Sequence, residues 1–327
     1  MRVCIFGAGA IGGFIGAHLA RRGDIALSCV ARGDHLQAIQ ANGLTVETED
    51  ETFSVGVRAS DNPEYLGPQD YVFLTVKQQQ LVDVADRVQP LLGPDTVVLP
   101  PTTGIPYWYG FGAPKLAEAR LEGLDPTGRL SALLPPERVI GCVYFVAATV
   151  VGPGRIRQDG GRPRFPLGEP DGSKSSRVRA LSEAMQGAGL RAPVEGNIRD
   201  WLWLKMISSL CWNTSAVLTR ATLDEMLAHP PTMKVVRALM TEAFAIAEGC
   251  HAQVAGTPDS LIEGARRSGG HKMSMLEDFE AGRPLELSPL LNSVEVMSRA
   301  AGVETPMIDS LLSLTRMAEI SRDRDGA

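Results

Sequence analysis

The tightest constraint on this chain lies in its first sixteen residues. Arg2-Val3-Cys4-Ile5-Phe6 is a short apolar run with the length of a buried strand. It passes without a spacer into Gly7-Ala8-Gly9-Ala10-Ile11-Gly12, and then into Gly13-Phe14-Ile15-Gly16-Ala17-His18-Leu19-Ala20, which predicts a helix. Strand, glycine turn and helix in that order match G-x-G-x-x-G, the fingerprint of a dinucleotide-binding turn. Gly7 allows the tight turn, Gly9 lets a pyrophosphate approach bare backbone, and Gly12 lets helix and strand pack closely. The helix start adds free N–H groups and a partial positive charge. In a chain with 34 glycines the pattern alone is a weak signal. Its place between a strand and a helix makes it a prediction of dinucleotide binding.

Strands continue to alternate with helices, which implies a parallel, doubly wound sheet. Ile25 to Val30 reads as the second strand. Its tip, Ala31-Arg32-Gly33, has no acid before Asp34 to accept from ribose hydroxyls, whereas the Arg32 guanidinium suits a 2'-phosphate, so NADP is expected over NAD. Asp34 to Asn42 predicts a helix, and Leu44–Glu47 with Phe53–Val57 a hairpin. Asp70 to Val76 is a clear strand ending at Lys77, on the edge where ligands of such sheets bind. A helix over 78–88 and a strand over 96–99 follow, leading into Thr103-Gly104. Tyr107 to Pro136 is long and irregular, a structural insertion in preference to a lid. Strand-like runs are expected over 139–151 and 154–168, and a helix over 173–187. Beyond Asn197 the glycine-punctuated strands give way to long periodic stretches rich in Leu, Met and Ala. The expected domains are therefore 1–196, a Rossmann-type nucleotide-binding domain, and 197–327, all helix.

The length of 327 residues suits two such domains. A net charge of -6 argues against nucleic acid and anionic membranes as partners. The chain opens directly on a strand, with no signal peptide and no apolar run long enough to span a bilayer, so a cytoplasmic protein is expected. Cys4, Cys29, Cys142, Cys211 and Cys250 are scattered, and His18, His35, His229, His251 and His271 form no ligand-spaced pair. Buried thiols and no metal are expected. The apolar helices of the second half could pack internally or form the face of a homodimer.

That half carries a second constellation. In Asp200 to Asn213, the polar residues Lys205, Ser209 and Asn213 fall at i, i+4 and i+8 on a helix that is otherwise apolar. A lysine among Trp201, Trp203, Leu204, Met206 and Ile207 either snorkels to solvent or is held for chemistry. The polar line favours chemistry. A lysine of lowered pKa is a competent general acid for the oxygen that hydride addition turns into alkoxide, and Asn213 can donate to a substrate oxygen. Spacing says nothing of Ser274 and Glu286: alone they read as a helix N-cap, with Glu277 completing a capping box, and an exposed acid.

Together these motifs resemble the ketopantoate reductases (2-dehydropantoate 2-reductases). The likeness rests on the N-terminal G-A-G-A-I-G-G, V-A-R-G at the second strand, F-L-T-V-K at a later one, the W-L-K helix, and S-M-L-E-D followed by Glu286. It covers nearly the whole chain. It implies a Rossmann domain plus a helical domain of the 6-phosphogluconate dehydrogenase C-terminal type, with the active site in the cleft between them. It also implies NADPH as cofactor, bound by Gly7 to Gly12, Arg32 and Lys77, with Thr103 close by. Lys205 would be the general acid and Glu286 its orienting partner or a ligand for a substrate hydroxyl. Ser274 would hold the substrate carboxylate, and Asn213 would line the pocket. Where the family commonly carries asparagines, this chain has Thr103 and Ser209, which lack the amide that could bond a polar substrate. The implied reaction is reduction of a 2-keto acid, ketopantoate foremost. The alternatives are another 2-keto acid or an imine, and a non-catalytic NADPH sensor.

Overall fold

The computed structural model describes residues 1–113, 116, 121–266, 270 and 272–325. His271 and part of the 107–136 segment lie outside the described residues. The chain divides into two compact units. One comprises 1–102, 106–113 and 127–198; the other holds the described residues of 103–105, 114–126 and 199–327.

The first unit is built on parallel strands. β1 (Arg2–Phe6) feeds α1 (Ala10–Arg21), and β2 (Ala26–Val30) feeds α2 (Gly33–Asn42). The chain then forms β3 (Leu44–Glu47) and β4 (Thr52–Val55), an antiparallel hairpin, before β5 (Arg58–Ser60). β6 (Gln69–Leu74) precedes α3 (Leu81–Val88), and β7 (Leu92–Leu99) completes the sheet. Its order is β5-β2-β1-β6-β7, with every neighbouring pair parallel. The winding direction reverses between β1 and β6, so the carboxyl ends of these two strands flank the switch point where such sheets bind ligands. Val3, Cys4, Ile5 and Phe6 are all buried, as a strand covered on both faces requires.

Farther along come α4 (Arg129–Leu133), β8 (Gly141–Cys142), β9 (Ala148–Gly152), β10 (Arg155–Gln158), β11 (Leu167–Gly168) and α5 (Ser176–Gly187). The run expected over 139–151 is broken into β8 and β9. β8 pairs with β11, whereas β9 turns into β10, which joins the separate four-stranded sheet β4-β3-β10-β9. One segment serves two sheets, which a continuous strand could not do. In the 107–136 segment Trp108 and Tyr109 are buried, and the Tyr107 hydroxyl donates to the Leu134 carbonyl at 2.6 Å.

The second unit is helical. α6 (Ile198–Ser208) runs through a π turn over Ser209–Asn213 into α7 (Thr214–Thr219), followed by α8 (Leu223–Leu227) and α9 (Pro230–Gly249). α10 (Pro258–Arg266), α11 (Ser274–Glu280), α12 (Leu287–Ala301) and α13 (Pro306–Asp325) complete it. Val236, Leu239, Met240, Ala243, Ile246 and Ala247 of α9 recur at three- and four-residue spacing and are buried, with α12 and α13 packed against that helix. Among the described residues no helix is long and apolar enough to cross a membrane.

Candidate active site

In the first unit the glycine turn divides its labour by geometry. Gly7 has φ +103°, and a Cβ there would lie 3.1 Å from the Thr75 carbonyl oxygen. At Gly12 a Cβ would come within 2.2 Å of Thr75 Oγ1 and 2.4 Å of the Gly7 carbonyl, so α1 packs against the strand ends only without a side chain. At Gly9 a Cβ would meet nothing within 4 Å, which leaves open space over the backbone. Gly9 caps α1 without a side chain, and the Gly13 N–H is the one that reaches back to the Gly9 carbonyl, at 2.7 Å. The amides of Ala10, Ile11 and Gly12 are therefore first-turn donors not served by a capping side chain. An anion such as a pyrophosphate fits this cradle. Arg32 is exposed at the tip of β2, where it is the N-cap residue of α2. Lys77 is half-buried beyond β6, and its N–H donates to Gln80 Oε1 at 3.3 Å.

In the second unit Lys205 emerges from a helix whose Leu202, Trp203, Met206 and Ile207 are buried. Burial lowers the Lys205 ammonium from its ordinary value, and the Glu286 carboxylate works in the opposite direction. Glu286 is the N-cap residue of α12, and its Oε2 accepts from Thr103 Oγ1 at 3.4 Å. Thr103, Lys205 and Glu286 thus form one group. Asn213 lies at the end of the π turn. On a regular α-helix a residue eight positions on is rotated roughly 80° from Lys205; the wider π turn takes up part of that offset. Its Oδ1 accepts the Met275 N–H at 3.3 Å, so Asn213 caps the start of α11. This corrects the capping-box reading. Ser274 is the first residue of α11 and Met273 its N-cap, with no side-chain cap of its own, because Asn213 serves a free donor of that turn from another helix. Among the described residues neither the Ser274 nor the Ser209 hydroxyl bonds to Lys205, Glu286 or Thr103. Ser274 is exposed and Ser209 half-buried.

Residues 3–106 match the family model Ketopantoate reductase PanE/ApbA, and residues 197–319 match Ketopantoate reductase PanE/ApbA C terminal. A 2-dehydropantoate 2-reductase of Mesorhizobium japonicum is 44% identical over 324 residues, covering 98% of this chain and 99% of that one. The chain belongs to the ketopantoate reductase family. A solved structure from Ralstonia solanacearum MolK2, assigned as a ketopantoate reductase, superposes with a TM-score of 0.89 at 37% identity, covering 98% of each chain. A 2-dehydropantoate 2-reductase from Geobacter metallireducens GS-15 gives 0.83 at 26% identity, covering 97% of this chain and 100% of that one. The fold is therefore that of the family, a Rossmann-type sheet followed by a helical domain, and the chain is an oxidoreductase of the ketopantoate reductase type.

Several residues of this ketopantoate reductase family member act on the site without having been legible in sequence. Thr75 donates from Oγ1 to the Gly7 carbonyl at 2.8 Å. Ser293, buried in α12, accepts the Ile105 N–H at 2.7 Å and so fixes the segment that carries Thr103. Glu319 accepts the Leu285 N–H at 3.0 Å, one residue before Glu286. Only Thr75 left a signal, its place in the strand end that carries Lys77. All five cysteines are buried free thiols, and among the described residues no cluster of three His, Cys, Asp or Glu side chains could hold a metal.

Proposed function

We propose that this protein uses NADPH to reduce a 2-keto acid to the 2-hydroxy acid, with ketopantoate as substrate and pantoate as product. The observation that carries the reading is Lys205 on a helix whose Leu202, Trp203, Met206 and Ile207 are buried, within the electrostatic reach of the Glu286 carboxylate to which Thr103 donates. Its support from relatives is the Mesorhizobium 2-dehydropantoate 2-reductase, alike over the full chain. When bound, the nicotinamide coenzyme supplies the hydride. The backbone of Gly7, Ala8, Gly9, Ala10, Ile11 and Gly12 would hold its pyrophosphate, and Arg32 and Lys77 its phosphate or ribose oxygens. The exposed Arg32 at the β2 tip, with no acid in its place, favours NADP. Residues 1–196 then form the nucleotide domain and 197–327 the substrate domain.

Lys205 Nζ would donate its proton to the carbonyl oxygen of the substrate as negative charge develops there. Glu286 keeps that ammonium charged, orients it, and is in place to accept from a substrate hydroxyl. Ser274 would hold the substrate carboxylate, with Asn213, Ser209 and Thr103 lining the pocket. Thr103 and Ser209 are shorter than the asparagines common in the family, so they reach less far toward a polar substrate. A second copy of the chain completes the reading, supported by Leu314, Met317 and Ile320, exposed along α13; sedimentation at equilibrium tests it.

The test of function is NADPH oxidation across a panel of branched 2-keto acids. Highest kcat/KM on ketopantoate is expected. A better substrate in the panel would reassign the pocket, and NADPH binding without turnover on any 2-keto acid would sink the reductase reading.

A further inference from the structure

His35 occupies the first turn of α2, three residues past Arg32, and both of its ring nitrogens are engaged by backbone. The Gly154 amide nitrogen lies 3.0 Å from Nδ1. A backbone N–H can only donate, so Nδ1 holds the lone pair. The hydrogen is then on Nε2, which donates to the Ala8 carbonyl at 2.6 Å. The imidazole is thereby fixed as one neutral tautomer, bonded on one side to the glycine turn and on the other to the β9–β10 turn. Gly154 is itself anchored, since its carbonyl accepts the Thr45 N–H at 2.9 Å.

We propose that His35 is a positioning residue for coenzyme binding, whose Nε2–H pins the Ala8 carbonyl and sets the shape of the anion cradle; this rests on the coenzyme-binding reading above. The Gly7 and Ala8 amides both donate to the Val30 carbonyl, at 3.0 and 3.3 Å. The Gly7 carbonyl is taken by Thr75. His35 secures the remaining carbonyl before Gly9. Without it, the Ala8–Gly9 peptide would be held only from its other end, where the Gly9 N–H donates to the Gly7 carbonyl at 2.8 Å, and Gly9 adds no steric restraint. Its negative end could then turn toward the phosphates. With both nitrogens occupied, the ring is not a phosphate ligand, and its effect acts through the loop.

The experiment compares His35→Leu, His35→Gln and His35→Asn in the full-length protein. It reads the NADPH dissociation constant by fluorescence, KM for NADPH against kcat, and the melting temperature. A glutamine amide reaches the Nε2 position and can still donate to Ala8; an asparagine amide reaches only the Nδ1 position and serves Gly154. His35→Leu is expected to weaken NADPH binding about tenfold, with kcat at saturating NADPH within about twofold of wild type. Glutamine should restore most of the affinity and asparagine little of it. Wild-type affinity in His35→Leu would overturn the proposal. So would rescue by asparagine equal to that by glutamine, which would assign the ring to the Gly154 turn. If His35→Leu melts early, the glutamine and asparagine variants decide between them. A wild-type protein that fails to bind NADPH would remove the coenzyme reading itself, a different failure visible before any variant is made.

Discussion

Thr103 and Glu286, 183 positions apart, are joined by a hydrogen bond of 3.4 Å from Thr103 Oγ1 to Glu286 Oε2. The bond exists because the chain leaving β7 lies against the start of α12. Ser293 accepts the Ile105 N–H and donates to the Pro289 carbonyl, both at 2.7 Å. Between Thr103 and Ile105, Gly104 has φ +78°, and a Cβ there would lie 2.6 Å from Ser293 Oγ and 2.9 Å from the Pro289 carbonyl. The hydroxyl beside the carboxylate is placed by a backbone position open to glycine alone.

Gly104→Ala should therefore displace Thr103 as well as strain the chain. A loss of about 1–3 kcal/mol in denaturant titration is expected from the backbone conformation, with a fall in kcat/KM. Thr103→Val keeps the backbone and removes only the donor to Glu286, so its stability should stay near wild type. Its kcat/KM should fall about threefold to tenfold, the worth of one weak hydrogen bond. Wild-type kcat/KM in Thr103→Val would separate Thr103 from the chemistry.

The alkaline limb of the kcat profile should report Lys205. Burial lowers this ammonium and Glu286 raises it, so the limb should fall below the ordinary lysine value of 10.5. Glu286→Gln removes the raising influence and should move the limb to lower pH still. A limb that moves upward, or does not move, would dissociate the two residues.

Lys205→Met should lower kcat by about a thousandfold while leaving NADPH affinity unchanged, as expected for loss of a general acid. It should also change how stability depends on pH. The folded-state pKa of Lys205 lies below its unfolded value of 10.5. The unfolded chain therefore binds more protons between those two values, and wild-type stability gains with rising pH in that window. Below the window the desolvation of the ammonium counts in full. The melting temperature of wild type relative to Lys205→Met should thus improve as pH rises through that window toward 10.5. A difference that does not vary with pH would place the ammonium in solvent.

What the sequence shows and what it hides follow from the range of the forces involved. The glycine turn is legible because strand, turn and helix are contiguous, and Lys205 because a charge on an apolar helix is conspicuous locally. His35, Ser293 and Glu319 look like ordinary surface or helix residues until partners 27, 188 and 34 positions away arrive. Ser274 and Glu277 do have capping-box spacing, yet Asn213, 62 positions before Met275, supplies the cap. The π turn at Ser209–Asn213 has no counterpart in a three- and four-residue period, and Thr214 donates from its hydroxyl to the Leu210 carbonyl within it. Likewise the apolar run over 139–151 does not reveal that it serves two sheets.

Arg32 provides a test of coenzyme choice that is independent of the chemistry. If its guanidinium grips the 2'-phosphate, Arg32→Ala should narrow the NADPH over NADH preference by about tenfold to a hundredfold, the worth of a charged hydrogen-bonded contact. The ratio of kcat/KM for the two coenzymes measures this. An unchanged ratio would leave Arg32 as only the residue that starts α2.

Gly9 and Gly12, three residues apart, should fail in opposite ways. Gly9 has φ −71°, which alanine adopts, and open space where its Cβ would project. Gly9→Ala should fold with stability within about 0.5 kcal/mol of wild type. Its added methyl would stand where a pyrophosphate must approach, so NADPH affinity should fall at least about tenfold. In Gly12→Ala the Cβ meets Thr75 Oγ1 at 2.2 Å and the Gly7 carbonyl at 2.4 Å, and Ile5 closes the third side at 2.7 Å. Two of these neighbours are β1 and the turn that follows it, which cannot yield without moving α1. A loss of about 1–3 kcal/mol is expected from such overpacking, with coenzyme affinity falling as a consequence of the shifted helix. Melting curves taken beside NADPH titrations separate the two. A Gly9→Ala protein that binds NADPH like wild type would mean the open space over that peptide is not where the coenzyme lies.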